Sequence, residues 1–423
     1  MRAEIIAVGS ELLTPDRLDT NSLFLTSQLN RLGIEVSRKT VVGDKHDDVR
    51  DAFRAALERV ELVISCGGLG PTLDDLTREA VADLLGRKLI PSDAVLQAIQ
   101  ERFRRMGRTM AEVNKRQAMV IEGADVLSNP RGTAPGLWLE TNGRLIVLLP
   151  GPPHELQALF TEKVETRVAR LAGGTRLFSR ELRTTGLTES EVEQRVAPIY
   201  TQYRDAQTTI LAIPGEIQIH LRVWSGDAKG AEHMLDEMVA RITEALGKNI
   251  FATEGHSLEE IVARALTIHG ATIATAESCT GGLVAERLTR IPGSSSYFLG
   301  GVVCYSNGSK TAWADVPAAL IEAKGAVSPE VARALAEGIR RRTGTTLGIG
   351  ITGIAGPAGG APEKPVGLVY IALAGTELIR EHSVQFTGDR DRIRWHASQT
   401  ALDMVRRYFL YVPPAKPARP GNA

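Results

Sequence analysis

The chain has 423 residues, more than one ordinary domain holds and enough for about two or three. Hydrophobic residues make up 43% and charged residues 24%, a globular usage that excludes a chain disordered throughout. Lys+Arg and Asp+Glu each number 50, so there is no global positive field to draw nucleic acid or an anionic membrane to the surface.

The first residues enter a strand-like run, Glu4-Ile5-Ile6-Ala7-Val8, with no basic or cleavable apolar leader. No apolar stretch approaches the roughly 18 residues of a membrane span, so a soluble, cytoplasmic protein is expected. Cys66, Cys279 and Cys304 are too few and too scattered for a disulfide framework, and no C-x-x-C pair marks a zinc site.

From residue 1 to about 170, short β-branched runs (4–8, 61–66, 144–149) alternate with helical segments (20–32, 77–85), a βαβ rhythm that predicts a mostly parallel sheet. In the segment 20–32, Leu25, Leu29 and Leu32 share one face at the helical period. Residues 171–254 read as a small α+β module: Gly173-Gly174 breaks the rhythm, the run 216–223 alternates apolar and polar residues, and 231–246 is amphipathic. A third α/β region spans 255–412. It opens on a helix capped by Ser257 with Glu260 three residues on, and has strands near 271–276, 300–305, 347–352 and 367–373 separated by helices near 282–289, 329–342 and 391–409. The proline-rich end, 413–423, has too little apolar content to fold and is expected to be disordered.

Two regions carry chemistry. The strand ending at Cys66 runs into Gly67-Gly68-Leu69-Gly70-Pro71-Thr72-Leu73-Asp74-Asp75. Glycines directly after a parallel strand let the backbone approach a ligand, and the following helix start offers an anion site, so phosphate is the natural ligand. Carboxylates beside such a loop repel phosphate unless a divalent cation sits between them. The plainer reading is a tight turn with Asp75 capping the helix, and the residues alone leave both open. Asp19-Thr20-Asn21 reads as a helix cap.

In the third region a strand ends at Glu277-Ser278-Cys279-Thr280-Gly281-Gly282 before a helix. A hydroxyl or thiol on such an elbow has backbone N–H groups and a helix dipole at hand for a nucleophile and its oxyanion. Lys310, in Tyr305-Ser306-Asn307-Gly308-Ser309-Lys310 at the end of a strand, can serve a serine as base only if burial lowers its pKa; otherwise it is a surface lysine. The glycine-rich run Thr352-Gly353-Ile354-Ala355-Gly356-Pro357 can line a pocket with backbone amides, and Arg390 and Arg392 suit a phosphate monoester. Free cysteine is intrinsically the better nucleophile, so physics alone does not choose between Ser278 and Cys279.

Taken together, Gly67–Thr72 with Asp75, Gly132-Thr133-Ala134-Pro135-Gly136 and Pro150-Gly151-Pro152-Pro153-His154-Glu155 resemble the molybdopterin-binding fold as it occurs in the CinA (competence/damage-inducible) family. Glu11-Leu12-Leu13-Thr14 departs from that pattern by meeting Pro15 where the family has glycine. Residues 175–252 resemble the family's KH-like segment but contain no Gly-x-x-Gly clamp, so a spacer or dimerisation element is expected rather than a nucleic-acid binder. The motifs at 276–282, 305–310, 352–357, 364–367 and 388–390 resemble the family's nicotinamide-nucleotide amidase domain.

The resemblance implies a three-layer α/β N-terminal domain, a KH-like α+β module and a C-terminal α/β amidase domain. It implies hydrolysis of nicotinamide mononucleotide to nicotinate mononucleotide and ammonia, with Ser278 attacking, Lys310 taking the proton, and Tyr305 and Thr352 orienting or polarising. Thr280, Gly281, Gly282, Asn307, Gly353, Gly356, Arg390 and Arg392 would bind substrate there, without a cofactor. For the N-terminal domain it implies metal-dependent hydrolysis of ADP-ribose to AMP and ribose 5-phosphate. Gly67, Gly68, Gly70, Thr72 and Thr133 would bind substrate, and Asp44 and Asp75 would hold Mg, Mn or Co. A homodimer is expected, with these two small molecules as substrates and neither membrane nor nucleic acid as partner. Two rivals are a molybdenum-cofactor nucleotidyl transferase in the N-terminal half and a non-catalytic adaptor in competence or DNA damage.

Overall fold

A computed structural model describes residues 1–376 and 378–411; the expected disordered end, 413–423, lies outside the described residues. Met1–Phe178 with Val223–His233 groups as one compact unit, and Ser179–Arg222 with Met234 onward as a second.

The first unit is built on a six-stranded sheet in the order Glu35–Val42, Arg2–Val8, Leu62–Cys66, Arg144–Leu149, Gly136–Thr141, Asp125–Leu127. The first four strands run parallel and the last two join through antiparallel pairs, so the expected parallel sheet carries one reversed strand, Gly136–Thr141. Side chains alternate across a strand, and both faces here are apolar. Ile6 and Val63 therefore pack on one face against Val49, Phe53 and Val81, while Ile5 and Ile64 pack on the other against Leu25, Leu29 and Phe160. The result is three layers, helix on sheet on helix. The helix Thr20–Arg31 is capped by Asp19, whose carboxylate accepts from the Ser22 N–H at 2.9 Å.

The middle module is a four-stranded sheet in the order Ala206–Ile213, Glu216–Ser225, Arg176–Thr184, Ile250–Ala252, with helices Glu189–Tyr200 and Ala228–Leu246. The alternation in Glu216–Ser225 is realised as predicted: Ile217, Ile219, Leu221 and Val223 are buried and the residues between them half-buried.

The C-terminal domain has a five-stranded sheet in the order Phe298–Val303, Ile273–Glu277, Leu347–Gly353, Leu368–Ala374, Ile379–Gln385, parallel across its first three strands and antiparallel across the rest. Ser257 and Glu260 form the expected capping box on the helix Leu258–Ile268. Three elements depart from the sequence reading. The edge strand Ile379–Gln385 reads as polar because its exposed stretch is Glu381-His382-Ser383. The helices Asn307–Ala314 and Ala318–Lys324 were not expected. Asn307-Gly308-Ser309 is a poor helix start by propensity, and a capping box between Ser306 and Ser309 supplies what propensity lacks. Lys310 therefore sits in the first turn of a helix, not at a strand end. That helix lies close to Pro329–Thr343, where a Cβ on Gly338 would fall 1.8 Å from the Ala314 carbonyl oxygen.

Candidate functional site

In the first unit the parallel strands Arg2–Val8, Leu62–Cys66 and Arg144–Leu149 all end at one edge, and the loops that follow them border a cleft of about 940 Å³. Ligands of open α/β sheets bind at this edge, beyond the carboxyl ends of the strands. Gly67, Gly68, Gly70, Thr72, Thr133, Asp44 and Asp75 all line the cleft, so every residue expected here is brought together. Gly67 has φ +103° and Gly68 φ +66°, and a Cβ on Gly67 would lie 2.0 Å from the Val8 carbonyl oxygen, so only glycine allows this approach. The loop is stapled from the following helix. Thr77 Oγ1 donates to the Gly67 carbonyl at 3.0 Å, and buried Arg78 donates to the carbonyls of Leu69 at 2.7 Å and Gly70 at 3.1 Å.

Asp75 does not cap the helix Thr77–Leu85, whose start has no side-chain cap. Its carboxylate instead accepts from the Thr72 N–H at 2.9 Å and from the Thr72 hydroxyl. Asp44 accepts from the Ser10 N–H at 2.7 Å, fixing the turn Ser10–Leu13 beside the cleft. Among the described residues no cluster of three or more His, Cys, Asp or Glu comes together as a metal cage. Asp44 and Asp75 on one cleft fit a cation of the magnesium type, which takes one or two protein carboxylates and completes its shell with substrate oxygens and water. Arg78 and Asn129 are structural parts that the sequence reading missed, and Glu155 was quoted there only within its motif, without a role. Asn129 donates to Glu155 at 2.7 Å and accepts from the N–H groups of Arg131 and Gly132, setting the loop that carries Thr133.

In the C-terminal domain, Ser278 follows the strand Ile273–Glu277, and its N–H donates to the Ile351 carbonyl of the neighbouring strand at 3.0 Å. Lys310 Nζ approaches Ser278 Oγ to 3.2 Å and the Cys304 carbonyl oxygen to 2.9 Å. Lys310 is 2% exposed and Ser278 8%. Burial pulls the lysine pKa below its usual value, the condition for an amine to act as a base. Cys279 packs in the hydrophobic core, and burial pushes its thiol up to about 12, so it stays protonated near neutrality. Cys66 and Cys304 are likewise buried and free.

The helix dipole is not available as expected. The fully buried Glu277 carboxylate accepts from the N–H groups of Gly282 at 3.0 Å, Val284 at 3.1 Å and Ala285 at 2.9 Å, and so occupies the start of the helix Leu283–Thr289. Thr352 is also committed elsewhere: its hydroxyl donates to the Ala326 carbonyl at 2.7 Å, so it holds the 325–328 turn instead of polarising a substrate. Tyr305 is 60% exposed, and its phenol oxygen accepts from Arg390 at 2.7 Å. Arg390 also donates to the Gly356 carbonyl at 2.8 Å, which ties the glycine-rich run to the helix Arg390–Phe409.

Thr280, Gly281 and Gly282 form the turn after Ser278, and Asn307 is the first residue of the lysine-bearing helix. Gly353 ends its strand beneath Leu368. Arg392 is on another helix face and lines a different cleft, so it does not join this group. Its place is taken by Arg394, four residues after Arg390, which donates to the Thr280 carbonyl at 3.0 Å. That i, i+4 spacing was the signal available in the sequence.

Fold and site define a three-part α/β protein in which a serine on a strand-to-helix elbow is paired with a buried lysine, and a separate glycine-lined cleft lies at the edge of a parallel sheet. Residues 4–170 match the family described as Probable molybdopterin binding domain, 179–252 the Damage-inducible protein CinA KH domain, and 255–409 the CinA C-terminal domain. The CinA-like protein of Koribacter versatilis is 51% identical over 417 residues, covering 97% of this chain and 100% of that one. The CinA-like protein of Acidobacterium capsulatum is 50% identical over 414 residues, again covering 97% and 100%. Among solved structures, the protein CinA from Thermoplasma acidophilum is 37% identical with a TM-score of 0.36, covering 38% of this chain and 94% of that one. The chain belongs to the CinA family. Among the described residues no helix is long and apolar enough to cross a membrane.

Proposed function

We propose that the C-terminal domain hydrolyses the carboxamide of nicotinamide mononucleotide, giving nicotinate mononucleotide and ammonia. The observation that carries this reading is the 3.2 Å approach of the buried Lys310 amine to the Ser278 hydroxyl. A neutral Lys310 takes the hydroxyl proton as Ser278 Oγ bonds to the carboxamide carbon. The C–N bond then breaks, the nitrogen leaves as ammonia with the proton from Lys310, and water cleaves the acyl-serine ester. Arg390, held by Tyr305 and Gly356, is the phosphate ligand in this scheme, and Arg394 fixes the turn that carries the nucleophile.

The test is ammonia release from nicotinamide mononucleotide by the full chain. Ser278→Ala is expected to remove turnover by at least about a thousandfold, and Cys279→Ala to retain it. Loss on Cys279→Ala with retention on Ser278→Ala would overturn the assignment.

For the N-terminal domain we propose hydrolysis of ADP-ribose to AMP and ribose 5-phosphate, assisted by a divalent ion (Mg, Mn or Co) that Asp75 and Asp44 would help to hold. Such an ion would neutralise the pyrophosphate and activate water. The Gly67–Thr72 backbone positions the phosphates, and the Asn129–Glu155 pair keeps Thr133 on the cleft. AMP formation from ADP-ribose should vanish with EDTA and fall at least about a hundredfold in Asp75→Asn. Turnover of molybdopterin in place of ADP-ribose would favour the nucleotidyl transferase instead.

A further inference from the structure

The unit formed by Ser179–Arg222 and Met234 onward contains a second cleft, of about 700 Å³, between the middle module and the helix Arg390–Phe409. The helix meets it with Arg392, His396, Gln399, Asp403 and Arg407. These recur every three or four residues and so share a face, one that on a helix covered by neighbouring structure is ordinarily an apolar stripe. Arg394 donates to the turn after Ser278 and Arg390 to Gly356 and Tyr305, so another face of the same helix serves the serine site.

Three features of this cleft ask for a ligand. Phe386 and His396 stack with ring centroids 5.6 Å apart and planes 21° from parallel, which makes a flat wall. Burial, with Arg392 nearby, holds the imidazole below its usual pKa, so the wall is uncharged near neutrality. Gln399 is 3% exposed, and its Oε1 accepts from Arg287 at 2.6 Å, which fixes the way the amide points. Its Nε2 is buried without a partner, although a buried donor left unpaired costs about 1–3 kcal/mol. Asp403 is shared between Arg406 at 2.7 Å and Arg407 at 2.6 Å, whereas Arg392 has no carboxylate partner among the described residues.

We propose that this cleft binds a nucleoside monophosphate, with its base against the Phe386–His396 wall, a base or ribose oxygen on Gln399 Nε2 and its phosphate on Arg392. The volume falls within the roughly 300–1,000 Å³ of small-molecule sites. The binding site stands apart from the amidase reading, since none of its side chains touches Ser278 or Lys310.

The test uses the full chain and AMP as probe, with hydrogen exchange to locate binding and calorimetry to measure it. AMP is expected to slow exchange in segments 185–191, 212–217 and 392–400. Arg392→Ala should weaken AMP about tenfold, the loss of one charge-assisted contact, and leave adenosine unchanged. His396→Ala should weaken AMP and adenosine alike. Arg392 is exposed and His396 half-buried, so both variants are expected to fold, which a thermal melt checks. Absence of protection in these segments at millimolar AMP, or protection only around residues 67–75 or 278–282, overturns the proposal. So does the same protection with inorganic phosphate alone, or an AMP affinity unchanged in both variants.

Discussion

Lys310 decides the pH behaviour of the C-terminal site. Its folded-state pKa is lowered by burial, and only the neutral amine accepts the serine proton. Neutral amine accumulates as pH rises through that lowered value, so kcat/KM for the amide should climb with pH and level off below the range where a free lysine titrates. Lys310→Arg should be inactive throughout, because a guanidinium does not give up its proton in this range. A profile that falls with rising pH would contradict the assignment. At this scale the sequence was partly legible. The resemblance of the motifs at 276–282 and 305–310 put serine and lysine together, whereas the residues alone left Lys310 readable as a surface lysine. From the residues alone the choice between Ser278 and Cys279 was not legible, because it depends on which neighbour faces the core and neighbouring residues on a turn diverge; the resemblance and Lys310 pointed to Ser278. Arg392 and Arg394 were confused for the same kind of reason: both are arginines near Arg390, and only helix phase separates them.

The element that most constrains the nucleophile is the turn between the strand Ile273–Glu277 and the helix Leu283–Thr289. Glu277 closes it by accepting three N–H groups while fully buried. Hydrogen bonds to a charged group contribute about 1.5–3 kcal/mol each, and three on one carboxylate are not additive. Glu277→Ala is therefore expected to lower stability by roughly 3 kcal/mol, read as a fall in the urea midpoint, and to reduce amidase turnover because the Ser278 turn loses its brace. An unchanged midpoint would show that the contacts carry no net weight. Strands and helices with strong periodicity, such as Thr77–Leu85 and Arg144–Leu149, were found at their predicted positions. Those missed were decided by an unread cap and by contacts distant in the chain. The lysine-bearing helix depends on a serine capping box and on the bare backbone of Gly338, and the edge strand Ile379–Gln385 depends on pairing with Leu368–Ala374.

On the scale of the molecule, the two candidate catalytic sets are each drawn from one compact unit, and most of the middle module, all of 179–252 but Val223–His233, shares the unit of the C-terminal domain. Buried Arg406 donates to the carbonyls of Ile250 at 3.2 Å and Lys248 at 2.7 Å, and Trp395 donates to Pro214 at 2.7 Å. These bonds predict that residues 179–411 melt at least about 5 °C above residues 255–411, since 1 kcal/mol shifts a domain of this size by about 2–4 °C. Equal melting temperatures would mean the module adds nothing to the domain. The three-part order was legible because composition breaks at Gly173-Gly174 and periodicity resumes at Ser257. The attachment of the module was not, because it runs through main-chain carbonyls that no side-chain pattern advertises.

The carboxylate sealed inside the nucleophile's own turn has a consequence for inhibitor chemistry. It already sits where an incoming anion would settle on the helix axis, so a boronate or phosphonate mimic aimed along that axis meets like charge. Compounds for this site should instead reach outward, toward Arg390 and Arg394.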